Sequence, residues 1–290
     1  MATLKAIRRR IASVKSTQQI TRAMKLISAA RLRRAQEALL SARPYHEALQ
    51  RIADSLLRST PELIEPAENA QRRMLIVVIA SDRGLAGGYN VNLIRTAEEA
   101  AHNGRSEGLE AAFFAVGRKP LDHFRRTRQP LAGDRINNTP RLATVELARA
   151  IAAMVLAQWH EGAISQAGVV YSQFRSALSQ HSVYERLLPI ETRQPDGAEG
   201  SASPVDYLVE PSAAELAPLV LQNYIEASLF HGLLEAEASE HGARMTAMDA
   251  ATNNAVEMIS RLTLEMNRAR QAAITKELMD IVGGAEALRG

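Results

Sequence analysis

The residues of this chain that could carry chemistry do not form a catalytic pattern. The seven histidines show neither an HxH nor an HExxH spacing, so they do not predict a metal site. No serine lies in a G-x-S-x-G context, and no acidic pair is set off by glycine or aromatic residues as a catalytic couple often is. The absence of cysteine excludes disulfides, thiolate ligands and a cysteine nucleophile. We therefore predict no catalytic, cofactor-binding or metal-binding residues.

One segment, Ser81 to Gly88, has the composition of an anion-binding turn. It follows the apolar run Met74 to Ala80 and precedes a helical pattern, and a strand, a glycine turn and a helix N-terminus make a natural anion site. However, the patterns G-x-G-x-x-G and G-x-x-x-x-G-K-[ST] are both absent. A tight structural turn is therefore favoured, and a nucleotide-binding α/β protein with helical oligomerisation arms is the alternative function.

The elements that position these residues include a helix with a long three-four stripe near the C-terminus. Such a stripe is typical of the seam of a coiled coil, and a seam needs a partner helix. Near the N-terminus the same step recurs, and it resumes after a polar gap at Thr17 and Gln18. The C-terminal stripe consists of Met245, Met248, Thr252, Ala255, Ile259, Leu262, Met266, Ala269 and Ala273, and the N-terminal one of Leu4, Ile7, Ile11, Val14, Ile20, Met24 and Ile27.

Charge is distributed unevenly along the chain although the net charge is only +3. Residues 1–36 contain ten Lys and Arg residues and no acid, whereas residues 210–249 contain seven acids and one arginine. Solvated helix faces explain this in part. Nucleic-acid binding is disfavoured because no aromatic residue precedes Tyr45 to stack on bases. A transit peptide is disfavoured because the helical stripe continues without a cleavage-like break. A basic coiled-coil helix facing an acidic partner accounts for both the stripe and the charge.

The sequence divides into two terminal helices and a central α/β region. We expect one helix over residues 3–58. A second helix begins at the Ser212–Glu215 capping box and runs roughly 105 Å to a stop at Gly283-Gly284. Between them, strands alternate with helices, which favours a small, mostly parallel sheet. The expected strands are 74–80, 109–116, 164–174 and 182–190, the last two perhaps a hairpin; the helices are 91–103, 119–127 and 142–161, with a loop over 133–140. No apolar run is long enough to span a bilayer.

The C-terminal tail carries apolar residues on more than one helix face. They are Leu278, Met279, Ile281, Val282, Ala285 and Leu288. Because a single apolar helix end is costly in water, the tail needs cover. It either docks into its own domain or inserts into an apolar sleeve made by other subunits.

Four segments together resemble the gamma subunit, or central stalk, of the rotary ATP synthase. They are IRRRIASVKSTQQITRAMKLISAARLRRAQ near the N-terminus, the turn SDRGLAGGYN, the segment YLVEP, and RARQAAITKELMDIVGGAEAL at the end. Their order and spacing match that family, and the lack of a leader before the first helix is similar to bacterial members. The resemblance implies an α/β fold class, with a long antiparallel coiled coil of N- and C-terminal helices plus a small Rossmann-like domain. The implied domains are an N-terminal helix over 1–60, a central domain over 72–205 and a C-terminal helix over 210–286.

The resemblance also implies which residues meet partners. Met24 and Lys25 fall where the shaft meets acidic lever loops of the beta subunits, and Arg270, Gln271 and Thr275 fall where the C-terminal helix makes polar contacts with a beta subunit. Tyr207 and Glu210 fall in the segment that meets the membrane ring. The apolar bearing of the hexamer would hold Ile281, Val282 and Leu288.

The function implied by the resemblance is mechanical. The chain would be a non-catalytic rotor shaft that couples ion-driven rotation of the membrane ring to ATP synthesis or hydrolysis in a hexamer of three alpha and three beta subunits. Its other partners would be the epsilon subunit and the ring of c subunits, with no nucleic acid and no direct membrane insertion. Its expected location is peripheral, on the cytoplasmic face of the bacterial inner membrane.

Overall fold

The computed structural model describes residues 4–57, 60–135, 143–190, 209–210 and 212–287. Residue contacts divide the chain into two compact units, the first formed by Met1–Ile27 with Met245–Gly290 and the second by Ser28–Arg244. The elements in chain order are α1 (Leu4–Leu56), α2 (Pro61–Ile64), β1 (Arg73–Ile79), α3 (Tyr89–Ser106), β2 (Glu110–Val116), α4 (Arg118–Arg126), β3 (Leu131–Arg135), α5 (Val145–His160), β4 (Gln166–Phe174), β5 (Gln180–Leu188) and α6 (Ala213–Ala287).

The first unit is an antiparallel pair of helical segments, one from α1 and one from α6. The hydroxyl oxygens of Thr21 and Thr252 lie 2.8 Å apart, and Lys25 Nζ lies 2.6 Å from Asp249 Oδ1. Paired positions therefore rise along α1 as they fall along α6, which makes the two segments antiparallel. If this pairing continues at the same rise per residue, Leu4 lies level with about residue 270. The rest of α6 therefore extends beyond the start of α1.

The seam of α6 follows the stripe expected from the sequence. Met248, Ala255 and Leu262 are buried, the other stripe positions are half-buried, and most positions between them are exposed. The spacing averages 3.5 residues, which keeps one narrow face of a helix turned toward its partner. The alternation of Met and Leu with Ala and Thr along this face is therefore a packing pattern.

The seam of α1 departs from the expected pattern after Val14. Ile20 and Ile27 were expected in it, but their side chains are 57% and 54% exposed. Gln18 and Thr21 occupy the seam instead, half-buried and buried respectively. The three-four step runs through the supposed polar gap without interruption, so the prediction for Ile20 and Ile27 was wrong. The regular spacing of the helix decides which side chains face the partner helix, and here Gln18 and Thr21 do so.

The second unit is built around a five-stranded sheet with the order β3-β2-β1-β4-β5. Neighbouring strands are parallel except for β4 and β5, which form the antiparallel hairpin that the sequence suggested. The loop expected over 133–140 was wrong in its first part, because Leu131–Arg135 forms the edge strand β3 beside β2. The remainder of that loop, residues 136–140, lies outside the described residues.

The two faces of the sheet bury separate cores. Alternate residues of β1 point to opposite faces, as a pleated strand requires. Leu75, Val77 and Ile79 pack with the end of α1, with α5 and with the first part of α6. Met74, Ile76 and Val78 pack with α3 and α4. Burial on both faces explains the continuous apolar run that identified this strand.

The long helix α6 begins as expected and ends later than expected. The Glu215 backbone N–H donates to Ser212 Oγ at 3.3 Å, and the Ser212 hydroxyl lies 3.2 Å from Glu215 Oε1, so the Ser212 side chain caps the helix where the sequence pattern placed its start. The predicted stop at Gly283-Gly284 was wrong, because the helix continues to Ala287. Among the described residues, no helix is both long enough and apolar enough to cross a membrane.

Candidate partner-binding surfaces

Met24 and Lys25 lie on α1 within the first unit, and both are half-buried. The Lys25 ammonium is paired with Asp249 of α6 at 2.6 Å, and the two side chains are 39% and 45% exposed. Sequence reasoning assigned Lys25 to an external acidic partner and did not find this internal one. A partly exposed pair of this kind contributes about 0.2–1 kcal/mol and is screened by salt. An external carboxylate would therefore compete with Asp249 at small cost.

An apolar surface that the sequence analysis missed lies beside this pair. Ile20, Leu26 and Ile27 are each more than half exposed on α1, and basic Arg22 is exposed among them. Large apolar side chains gathered on one stretch of a helix are typical of a surface that meets another protein. The sequence did contain the signal. When the three-four spacing of Leu4, Ile7 and Val14 is continued along α1, it does not pass through Ile20, Leu26 or Ile27.

Arg270, Gln271 and Thr275 are exposed on α6 where the helix extends beyond the start of α1. Gln271 and Thr275 are four residues apart and so share one face, and Arg270 lies about 100° round the helix from Gln271. None of the three has a hydrogen bond or ion pair to another described residue. The structure therefore brings together a guanidinium, an amide and a hydroxyl that are available to a partner.

The tail of α6 is an exposed apolar surface in its own right. Ile274, Leu278, Ile281 and Val282 follow the spacing i, i+4, i+7 and i+8, and each is more than half exposed, Ile281 by 72%. Met279 adds an apolar residue on a second face. Nothing within the described part of the first unit covers this stripe. Leu288 lies outside the described residues.

Glu210 lies in the second unit just before α6 and its side chain is exposed. The preceding residue, Val209, packs against the core on the α5 and α6 side of the sheet. This inward anchor leaves the Glu210 carboxylate facing solvent. Tyr207, the other residue expected to meet the membrane ring, lies outside the described residues.

Side-chain hydrogen bonds fix the first residues of the glycine-rich turn, Ser81 and Asp82. The Ser81 backbone N–H donates to Asn90 Oδ1 at 3.0 Å, and the Ser81 hydroxyl donates to the Arg83 carbonyl at 2.6 Å. The Arg118 backbone N–H donates to Asp82 Oδ1 at 2.9 Å. These bonds give Ser81 and Asp82 a structural role in the turn, which supports the structural interpretation.

Helix α6 fills the crevice where a doubly wound sheet of this type binds its ligand. That crevice lies at the carboxyl ends of the strands on either side of the point where strand order reverses, here β1 and β4. A Cβ placed on Gly232 of α6 would touch Tyr171 of β4 at 3.4 Å and Ile79 of β1 at 3.6 Å. The Ser239 hydroxyl donates to the Ser172 carbonyl at 2.8 Å. Among the described residues, α6 therefore occupies the cleft that the nucleotide-binding alternative would use at this point of the sheet.

Buried ionisable groups anchor α6 over this edge of the sheet. Arg244 pairs with Glu240 at 2.7 Å and donates to the carbonyl oxygens of Arg83 and Gly84 at 3.5 and 3.4 Å. Burial raises the pKa of Glu240, and the adjacent Arg244 opposes part of that rise. These contacts hold the helix to the carbonyl oxygens of the glycine-rich turn.

A second buried group joins α1 to α6 within the same unit. The rings of His46 and His231 stack in parallel with centroids 4.5 Å apart, and the Nδ1 atom of each ring lacks a hydrogen-bond partner. Burial, with smaller effects from His46 and Arg43, lowers the pKa of His231 to about 4. Within the described part of the chain, no group of three or more His, Asp or Glu side chains is arranged to hold a metal.

Comparison with known proteins identifies relatives along the full length of the chain. A family model described as ATP synthase matches residues 3–288. The ATP synthase gamma chain of Pelotomaculum thermopropionicum is 46% identical over 290 residues, covering 99% of this chain and 100% of the relative. The ATP synthase gamma chain of Moorella thermoacetica is 46% identical over 294 residues, covering 100% of both.

Solved structures with the same fold come from rotary assemblies. A chain of the Euglena gracilis mitochondrial ATP synthase OSCP/F1/c-ring structure aligns with a TM-score of 0.68 at 19% identity, covering 98% of this chain and 94% of that one. A chain of the Tetrahymena thermophila central stalk/c-ring structure aligns with a TM-score of 0.61 at 24% identity, covering 80% and 99%. At these identities the likeness is one of fold.

Proposed function

Because this chain belongs to the ATP synthase family, as a full-length relative of its gamma chains, we propose that it is the central rotor shaft of a bacterial ATP synthase. The single observation that carries the proposal is the form of the first unit. An antiparallel two-helix seam ends in a lone helix whose apolar residues are uncovered. A lone apolar helix end needs an apolar sleeve, and a rotor needs a stiff pair of helices below it.

The proposed partners follow the surfaces described above. A hexamer of three alpha and three beta subunits would receive the tail in its apolar bearing, through Ile281, Val282 and Leu288. Beta subunits would meet Met24 and Lys25 on α1, and Arg270, Gln271 and Thr275 on α6. The epsilon subunit would bind beside the α/β region, and the c-subunit ring would meet the segment with Tyr207 and Glu210. Under this proposal the chain divides into a helix over 1–60, a domain over 72–205 and a helix over 210–286.

The shaft would work by repeated, weak contact. Basic side chains that meet acidic lever loops give attraction and orientation more than tight affinity. Each contact would be broken and remade as the shaft turns, so exposed, screened pairs suit the task better than buried ones. Turning an asymmetric shaft inside the hexamer would drive the catalytic sites through their conformations in sequence. The chain itself would bind no nucleotide and catalyse nothing.

The proposed location is peripheral to the membrane, on its cytoplasmic face. The shaft would transmit ion-driven rotation of the ring without entering the bilayer.

Reconstitution with alpha and beta subunits of a bacterial relative tests the proposal. The purified chain alone should show no ATPase activity. Adding it to the alpha and beta subunits should give a complex in which a bead attached to the α/β region rotates in one direction during ATP hydrolysis. The proposal would be ruled out if the alpha and beta subunits hydrolysed ATP equally well with and without the chain, and if no rotation were seen when the chain is present. ATP hydrolysis by the chain alone would overturn its non-catalytic role.

A further inference from the structure

A cavity of about 340 Å³ lies within the second unit, between α1 and α6. Its walls include the small residues Ala35 and Ala38 of α1, which leave room between the helices, and Ala143 ahead of α5. A water molecule takes about 30 Å³ of liquid volume, so the cavity has space for a small ion with part of its hydration shell. The proposed shaft function makes no use of this cavity.

Two arginines of α1 line the cavity and have no acidic partner among the described residues. Arg31 and Arg34 are three residues apart and therefore lie on the same face of the helix. Neither guanidinium is paired with a carboxylate of any described residue, whereas Arg33 between them pairs with Glu37 at 3.1 Å. Each guanidinium offers a rigid fork of N–H donors that matches the oxygens of a carboxylate or phosphate.

The opposite wall carries a buried imidazole with an unused nitrogen. His241 of α6 is only 7% exposed, and its Nδ1 atom has no hydrogen-bond partner. Burial, with smaller effects from the positive charges of Arg244 and Arg31, lowers the pKa of this histidine to about 4. The ring is therefore neutral near pH 7 and has one N–H donor, and Nδ1 carries it in one of the two tautomers. Because buried polar atoms normally have a hydrogen-bond partner, the Nδ1 atom indicates that a ligand can bind here.

The charges around His241 favour an anion over a cation. Arg31 and Arg34 face it from α1, and Arg244 lies one turn along α6, where it is paired with Glu240. Glu237 also lines the cavity, but its Oε2 accepts a hydrogen bond from the Ala143 backbone N–H at 3.1 Å. Two guanidinium groups therefore line the cavity with one carboxylate, which leaves an excess of positive charge for an anion.

We propose that this cavity binds a small oxyanion of the phosphate type, with Arg31 and Arg34 holding its oxygens and His241 donating a hydrogen bond from Nδ1. The site uses three donor groups from two helices and no side chain of the proposed partner-binding surfaces. Its ligand is free inorganic phosphate; the phosphoryl group of a nucleotide has the same chemistry and is separated from it by experiment.

Titration of the full-length chain with inorganic phosphate tests the site, with sodium chloride at equal ionic strength as the reference. We expect saturable binding by calorimetry, and by NMR an upward shift of the His241 pKa that chloride does not produce. Arg31→Gln and Arg34→Gln should each weaken phosphate binding at least tenfold, while Arg33→Gln leaves it unchanged. All three arginines are exposed, so circular dichroism should report folded variants.

Two results would overturn the proposal. One is a response to phosphate no larger than that to chloride, with His241 unshifted. The other is an equal loss of binding in Arg33→Gln, which would indicate nonspecific attraction to the basic helix. ADP titrated in parallel separates the two phosphate sources, because binding of ADP without binding of inorganic phosphate would exclude the free ion.

Discussion

At the scale of single residues, Lys25 matters because it has an internal partner. The Lys25–Asp249 pair is 2.6 Å long and partly exposed, which limits its contribution to stability to about 0.2–1 kcal/mol. We predict that a double-mutant cycle of Lys25→Ala and Asp249→Ala, measured by urea unfolding, gives a coupling energy below about 1 kcal/mol that shrinks with added salt. A coupling energy of several kcal/mol, insensitive to salt, would mean that Lys25 is committed to the rod and unavailable to a partner.

The buried histidine pair makes the second unit sensitive to acid. Burial lowers the pKa of His231 to about 4, against 6.5 for the free side chain, and His46 is shifted in the same direction. Between these values the unfolded chain binds more protons than the folded one, so stability falls as the pH drops from 6.5 to 4. Glu235, 3.6 Å from His231, works in the opposite direction because burial raises its pKa.

We therefore predict that the free energy of unfolding decreases between pH 6.5 and pH 4, and that His231→Gln flattens this decrease. Urea unfolding at a series of pH values gives the slope. His102→Gln, at an exposed histidine of α3, is the matched control and should leave the slope unchanged. An identical slope in the wild type and in His231→Gln would assign the acid sensitivity to other groups.

At the scale of elements, the seam of α6 distinguishes neighbours of the same type. Leu262 is 6% exposed in the seam, whereas Leu264, two residues on, is 59% exposed. We predict that Leu262→Ala destabilises the two-helix unit by about 2–5 kcal/mol, because it removes buried methylene groups and leaves a cavity. Leu264→Ala should change stability by less than about 0.5 kcal/mol. Limited proteolysis within the two-helix unit and urea unfolding would measure both. Equal effects would contradict the seam.

The tail of α6 should behave in the reverse way, contributing to assembly without contributing to the stability of the free chain. Ile281 and Val282 are exposed, so Ile281→Ser with Val282→Ser should leave the unfolding of the isolated chain unchanged. The same double variant should lower the affinity for an alpha-beta hexamer at least tenfold, because apolar area would no longer be buried there. Normal assembly and normal torque in a rotation assay would remove the proposed role of the tail.

The sequence predicted the elements that local signals determine and missed those that depend on contacts with distant parts of the chain. β1 and the start of α6 were predictable because a continuous apolar run and a capping box are local signals. β3 was missed because Gly133 and Asp134 are poor strand formers, and this edge strand depends on pairing with β2. Gly283-Gly284 wrongly predicted the end of α6. Glycine disfavours a helix by only about 1 kcal/mol per residue, and the helix continues through both glycines.

The candidate site was predictable only in part, for a related reason. The resemblance gave positions such as Arg270 and Gln271, whose side chains are exposed and whose contacts with a partner stay a prediction. The pairing of Lys25 with Asp249 could not be read from either helix alone, because it depends on the register between two segments 224 residues apart. The same register decides that Thr21 enters the seam and Ile20 leaves it.

At the scale of the whole molecule, the first unit is the part that would transmit rotation. It combines two paired helical segments with a single extending helix, and Arg270 and Gln271 lie where the pairing ends. A partner subunit that binds Arg270 and Gln271 would therefore pull on one unpaired helix, which is less stiff than the two-helix segment. We predict that Arg270→Ala with Gln271→Ala leaves the unfolding of the free chain unchanged, since both side chains are exposed, yet reduces rotation torque and ATP synthesis severalfold in the reconstituted enzyme.

The matched control for this prediction is Arg105→Ala, which removes an exposed arginine of α3 far along the chain from either helical segment of the rod. It changes net charge by the same amount as Arg270→Ala and should leave coupling intact. If both variants lowered torque equally, the loss would follow from net charge and not from position. If neither did, the apolar tail alone would carry the contact with the hexamer, and the polar group would be a solvated face of α6.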